Sequence, residues 1–296
     1  MSELSSPDHS TMHAKPADRI PVLVMLAFVW IGLLLIVVIF ADLLTPHDVM
    51  RSDLRARLQP PLLFGGTWAH PLGTDELGRD MFSRLLISIR VSMMVAFAGT
   101  VIGAVLGTLL GMLAAARGGF TDDVIMMLVD VQAALPFIIL ALAVIAFLGG
   151  GLTLFIIVVG LYGWERYARI ARGLTLAARE DGYAVATANL GASTARIYLV
   201  HILPNIISAL VVAFTVNFPE TMLLETSLSF LGLGIQPPST SLGTMLGDGR
   251  DYLTTAWWIA VAPGVVIALT GIAVSVVGDW LRDLFDPSAV GAVDGR

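Results

Sequence analysis

The sequence predicts an all-α polytopic membrane protein with six transmembrane helices, and three observations support that. Hydrophobic residues make up 56% of the 296-residue chain and charged residues 14%, where a soluble domain carries roughly 25% charged. Mean hydropathy is +0.84. Apolar runs of membrane-crossing length recur along the chain and leave no room for a large soluble domain. The absence of cysteine excludes disulfides and thiolate metal sites. A net charge of −6 gives no basic footprint for nucleic acid. His9, His13, His47, His70 and His201 are scattered without ligand spacing, so no metal site is expected.

A polar tail over 1–19 precedes a first transmembrane helix over 20–43. Its uncharged run, 20–41, exceeds a signal-peptide core and no small-residue cleavage signature follows, so a retained span is expected. Lys15 and Arg19 mark its cytoplasmic side. Residues 44–90 form a polar loop containing HPLGTDELGRDMFSRLLISIRVSM. Pro71, Gly73 and Gly78 are turn residues there. Met81, Phe82, Leu85, Leu86 and Ile89 then give an apolar face, with Arg79, Arg84 and Arg90 elsewhere, the pattern of an interfacial amphipathic helix.

The second span covers 91–116, where Gly99, Gly103, Gly107 and Gly111 recur every four residues as a seam for close helix packing. Arg117, Gly118 and Gly119 turn the chain. Thr121 is the expected cap of a third helix reaching Leu148, with Asp122 and Asp123 in its first turn. Asp130, Gln132 and Pro136 interrupt it, and the proline predicts a kink. Asp130 admits two readings, a structural residue near water or part of a substrate path.

The fourth span starts at Leu152 and continues as a helix past Glu165 into Arg166, Arg169 and Arg172, which mark its cytoplasmic exit. The fifth runs from near Asn205 to Leu233 and contains Asn217, Pro219, Glu220 and Glu225. An ionisable group at membrane depth needs a partner, a proton or water. Glu225 either bonds backbone donors at the external helix end or lines a path; Glu220 is read as facing the central cavity. After a polar loop, Trp257 and Trp258 form an interfacial aromatic belt, and 252–278 is the sixth span. Asp279, Arg282, Asp283, Asp286 and Pro287 follow on the cytoplasmic side, with a tail over 282–296. Both termini inside places ten of the 17 Lys and Arg in the cytoplasm; the others sit mostly in the long first loop.

Between the fourth and fifth spans lies a polar island, EDGYAVATANLGASTARIYLVHILPN. Glu180 and Asp181 open a small-residue helix through Ala184, Val185, Ala186, Thr187 and Ala188. Gly191 makes a corner, Ser193 or Thr194 caps a second helix bearing Ile197, Leu199, Val200 and Leu203, and Pro204 ends the unit and suits the first turn of a further helix.

This island resembles the cytoplasmic coupling loop of ABC importer permeases, whose pattern is E-A-A, three residues, Gly, nine residues, I-x-L-P. Gly191, Leu203 and Pro204 match at that spacing, and Ala186 fills the middle small position. Val185 stands for the Glu, Thr187 for the second Ala and His201 for the Ile. The strings HPLGTDELGRDMFSRLL, LLETSLSFLGLGIQPPSTSLGTML and GDWLRDLFDP resemble dipeptide, oligopeptide and nickel importer permeases of the dipeptide permease C-like type. The likeness runs from about Leu43 to Pro287, weakest over the third and fourth spans.

The resemblance implies a type I ABC importer permease fold, with a core of five helices over 91–281 including a coupling loop over 180–204. It implies one of two membrane subunits in the bacterial cytoplasmic membrane. Its partners would be a second homologous permease, one or two ABC ATPase subunits, an extracytoplasmic substrate-binding protein and membrane lipid. Peptides are the implied cargo, with nickel chelates as the alternative. Glu180, Asp181, Tyr183, Ala186, Gly191, Leu203 and Pro204 are the candidate coupling residues. Asp130, Asn217, Glu220 and Glu225 are candidates for the translocation path. ATP and Mg would be bound by the ATPase subunits, since the chain has no G-x-x-x-x-G-K-[ST] string, no triad and no cofactor motif of its own. A stand-alone secondary transporter is the competing class. Asp130, Glu220 and Glu225 offer it midplane carboxylates, but no internal repeat is visible and the polar island is left without a role.

Overall fold

The first apolar run forms α1, Val22–Leu44, in a computed structural model that describes residues 21–149, 151–180, 193 and 196–285. Val24, Ala27, Leu34, Val37 and Ala41 make its buried stripe, while Leu26, Val29, Ile36 and other large apolar residues stay exposed. A surface that apolar is stable only against lipid or another chain.

The second helix, α2, is Met81–Arg117, 37 residues without a break. At 1.5 Å per residue it is about 55 Å long, well beyond the roughly 30 Å hydrocarbon core. The expected division into an interfacial helix and a separate span is therefore corrected: one continuous helix does both. Its first turns are not a surface amphipath either. Met81, Leu85, Leu86 and Ile89 are buried, and so is Arg84. Asp80 caps the helix by accepting the Ser83 N–H at 2.8 Å.

The third expected span is two helices, α3 (Gly119–Ala134) and α4 (Phe137–Leu148), bent by 94°. Leu135, extended because Pro136 follows it, makes the break. Gly118, rather than Thr121, precedes α3 at its cap position. The fourth expected span is also divided, a correction to the continuous helix read from sequence. The nine residues of α5, Leu152–Gly160, end at a turn, and α6 runs Trp164–Glu180. Gly163 in that turn has φ +78, and a Cβ on it would meet the Asn217 amide, so both backbone and space require glycine.

A π-helical segment, Ile197–Ile202, leads straight into α7, Leu203–Phe230. Pro204 sits in the first turn of α7, the place expected of it, although the helical segment before it runs on without a break. The short α8, Leu242–Gly249, has a capping box between Ser241 and Thr244. The last helix, α9, is Trp258–Phe285, beginning six residues later than the sequence pattern places it. Trp258 is not an interfacial belt residue: it is buried, and its Nε1 donates to the Thr74 carbonyl at 3.1 Å. Among the described residues four helices are long and apolar enough to cross a membrane, and the bent α3–α4 pair makes a fifth.

The glycine seam of α2 faces α5 and α6. A Cβ on Gly103 would lie 3.0 Å from the Tyr162 carbonyl oxygen, and one on Gly107 2.7 Å from Tyr167 Cβ. At one end of the bundle Leu85, Leu86 and Ile89 share a core with Leu34 of α1, Met222 of α7, Met245 of α8 and Ile259 of α9. At the other end Met112 of α2 and Ala178 of α6 pack with Tyr198, Ile202 and Ile206.

Candidate functional site

Three arginines at i, i+3 and i+6 run along α6, and each meets a carboxylate on a neighbouring helix. The Arg166 guanidinium donates to Glu220 Oε2 on α7. Arg169 Nη2 donates to Asp130 Oδ1 on α3 at 3.0 Å. Arg172 grips both oxygens of Asp122 on α3, at 2.6 Å each, the two-pronged geometry that suits a guanidinium. Immediately before Glu180, Arg179 Nη1 donates to the Ala115 carbonyl of α2 at 2.5 Å. So the helix that ends at Glu180 is laced to α2, α3 and α7. The sequence reading took these arginines as markers of a membrane exit and left Asp130 and Glu220 unpaired. The available signal was their spacing of three, which puts them along one ridge.

The ladder sits beside two clefts. One, of about 690 Å³, lies between α7 and α9 and is lined by Glu220, Leu223, Ile272 and Asp279. The other, of about 420 Å³, lies between α4, the 161–163 turn and α7, and is lined by Phe137, Tyr162 and again Glu220. Tyr162 Oη donates to Glu220 Oε2 at 3.3 Å, and the Arg166 guanidinium lies 5.9 Å from the Tyr162 ring centre. Glu220 thus stands in the wall common to both clefts.

The other path candidates are placed differently. Asp130 is exposed on α3. Asn217 is 3% exposed, pressed against the Gly163 turn. Glu225 is fully buried, and Ser229 Oγ, one turn on, donates to its Oε1 at 2.8 Å. Backbone donors were expected for Glu225; a side-chain hydroxyl takes that role, because the backbone N–H groups of an unbroken helix are already used. None of these three lines either cleft that contains Glu220.

Of the coupling candidates, Glu180 ends α6 and Leu203 and Pro204 open α7. Asp181, Tyr183, Ala186 and Gly191 lie outside the described residues. The two flanks of the stretch are nevertheless brought together, since Ala178 shares a core with Tyr198 and Ile202.

At the opposite end the HPLGTDELGRD segment forms a knot. Asp75 Oδ1 accepts the N–H groups of Leu77 and Arg79 at 2.9 and 2.8 Å. Its Oδ2 is shared by Arg79 Nε at 2.6 Å and by Arg84 Nη1, and Arg84 Nη2 reaches Asp248 at 3.1 Å. Beside them Glu76 has its carboxyl held above the ordinary value, first by burial and then by the neighbouring Asp75 charge. The histidines do not stay scattered here: His47 and His70 converge on Asp80.

Comparison with known proteins agrees with this architecture. The family described as binding-protein-dependent transport system inner membrane component matches residues 107–290, and the N-terminal transmembrane domain of oligopeptide transport permease C matches 22–61. The chain is 38% identical to the di/tripeptide transport system permease protein DppC of Pseudomonas aeruginosa, over 84% of this chain and 82% of that one. It is 36% identical to the probable D,D-dipeptide transport system permease protein DdpC of Escherichia coli, over 88% and 86%. With the oligopeptide transport system permease protein OppC of Bacillus subtilis it shares 35% identity, over 90% and 85%. An inward-facing MetNI methionine ABC transporter chain superposes with a TM-score of 0.56 at 20% identity, covering 70% of this chain and 98% of its own, which establishes the likeness of fold.

Proposed function

This chain belongs to the family of binding-protein-dependent transport inner membrane components, and on that premise we propose that it is one membrane half of an importer carrying short peptides across the bacterial cytoplasmic membrane. Its relatives' peptide cargoes support the choice of cargo. The energy comes from separate ATPase subunits. A phosphate-cradling loop needs a lysine behind a glycine-rich turn, and the only lysine, Lys15, stands between Ala14 and Pro16. A second, homologous permease completes the pathway, and an extracytoplasmic binding protein delivers the peptide. Both termini are cytoplasmic.

The observation that supports this reading most is the ladder on α6. ATP closure moves the coupling stretch 180–204, and α6 carries that displacement into α3 and α7 through Arg169–Asp130, Arg172–Asp122 and Arg166–Glu220. A stiff helix laced to its neighbours transmits a shift of a few ångströms, where a loose connector absorbs it, and the spans rock between inward-open and outward-open states. Gly191→Val tests the reading in the reconstituted complex with its ATPases and binding protein. ATP-driven dipeptide uptake should fall to background while the protein still inserts in the membrane. Normal uptake by Gly191→Val removes the coupling assignment.

A further inference from the structure

Three side chains from separate stretches meet beside the first turn of α2: His47 in the turn after α1, His70 at the head of the knot, and Asp80 at the helix cap. Their ligand atoms all lie within 4.8 Å of one another. His70 Nδ1 is 2.9 Å from Asp80 Oδ1, His47 Nδ1 is 3.7 Å from Asp80 Oδ2, and the two rings lie 5.1 Å apart at 37°. A hydrogen bond between His70 and Asp80 explains two of the three. It leaves the second imidazole unexplained: His47 Nδ1 is shut off from solvent and has no hydrogen-bond partner, although the His47 backbone N–H is anchored to Ser83 Oγ at 3.2 Å.

We propose that His47, His70 and Asp80 bind one divalent transition cation of the Zn²⁺, Co²⁺ and Ni²⁺ class. Two imidazoles and one carboxylate are the donor set those ions prefer, whereas Ca²⁺ and Mg²⁺ take oxygen ligands. Donors held on one ion at about 2.1 Å stand no more than about 4.2 Å apart. The small closure required comes from His47, whose side chain is 40% exposed. Asp80 needs no movement, because its Oδ2 is already oriented by the Ser83 N–H, the outer bond that fixes a ligating carboxylate. The positive end of the α2 dipole opposes a cation there, and the Asp80 charge offsets it. A bound ion would staple the turn after α1 and the 70–80 segment to the start of α2. The site is separate from the clefts that contain Glu220, so the inference is independent of the transport reading.

The test uses the full-length chain, without an affinity tag, in lipid nanodiscs, with His9, His13 and His201 replaced by Ala. Co²⁺ is titrated and followed by its visible absorption, and Zn²⁺ by competition with a chelating indicator. One ion per chain is expected. His47→Gln, at a partly exposed turn, and His70→Ala should each weaken binding more than about tenfold, the loss produced even by an outer-shell partner. Asp80→Asn, which keeps the helix cap because Asn caps as well as Asp, should weaken it similarly. No Co²⁺ spectrum, or the same affinity after both His47→Gln and His70→Ala, overturns the assignment and leaves the cluster as a histidine–carboxylate hydrogen bond.

Discussion

Arg84→Ala is the sharpest test of what the HPLGTDELGRD knot does. The Arg84 side chain is 5% exposed and Asp75 is 0% exposed. Removing one partner of a buried pair costs about 3–5 kcal/mol, mostly because the other charge stays buried. Here Asp75 keeps Arg79 Nε and the N–H groups of Leu77 and Arg79, so the low end, about 3 kcal/mol, applies. The lost contact to Asp248, whose side chain is 42% exposed, adds about 0.5 kcal/mol at most. With each kcal/mol worth about 2–4 °C in a chain of this size, the apparent melting temperature in detergent should fall by about 6–14 °C. Tryptophan fluorescence is the natural readout, since Trp258 bonds the Thr74 carbonyl beside the knot. Arg79→Ala should cost less, because Arg84 still holds Asp75. Arg84→Met fills the same space without the charge and should not rescue. The reasoning fails if Arg84→Ala melts within about 2 °C of the wild type, or if Arg84→Met restores it fully.

Glu220→Gln keeps the shape of the wall between the two clefts and removes its charge. Competition uptake should shift severalfold against cationic dipeptides, a larger change than any in ATPase coupling, and equal uptake of cationic and anionic cargoes before and after would discard the charge-selection idea. Gly107→Leu places atoms against the Trp164 carbonyl oxygen and Tyr167 Cβ of α6, an overpacking at the upper end of the usual range, about 3 kcal/mol, so folded yield should collapse. Gly32→Leu, with nothing within 4 Å of its Cβ position, is the matched control and should express normally. Glu76 carries a carboxyl raised by burial and by Asp75, so the folded state binds its proton more readily than the unfolded state does. Its ionisation costs stability above the folded value, and that cost disappears as pH falls through the folded value toward the ordinary one. Glu76→Gln should therefore melt higher than the wild type at pH 7.5, with the advantage shrinking on acidification; an advantage that grows on acidification would contradict the sign.

What the sequence made legible is whatever depends on neighbours along the chain. The long apolar runs locate α1, α2, α7 and α9, Pro136 locates the α3–α4 bend, and the four-residue glycine period locates the seam. Hidden were the features built by contacts at long separation. Arg169 and Asp130 are 39 residues apart, Arg172 and Asp122 50, Arg166 and Glu220 54. Arg84 and Trp258 read as surface residues because their charge and amphipathic character normally place them there, yet each is drawn inside by one partner, Asp75 and the Thr74 carbonyl. His47 and His70 lack ligand spacing in sequence because the turn between them is set by the fold.

The two ends of the bundle are bonded with different strength, and that difference bears on the proposed rocking motion. At the knot the charges are buried, 5% and 0% exposed for Arg84 and Asp75, so separating them leaves ions without water and costs several kcal/mol. Along the ladder Arg169 and Asp130 are 48% and 73% exposed, and Arg166 and Glu220 46% and 38%. Where water reaches them, pairs this exposed are worth about 1 kcal/mol or less, because it takes over each ion as they part. A bundle moved by ATP needs one end that holds and one whose contacts exchange without a high barrier. These two rungs meet the second need, while the two-pronged Arg172–Asp122 rung, 32% and 17% exposed, holds α6 to α3 more firmly. The most cleft-facing member, Arg166–Glu220, is the one a charged peptide could compete for. Substrate and motor would then act on the same pair from opposite sides, and breaking it with either one alone should raise the basal ATPase rate of the assembled complex.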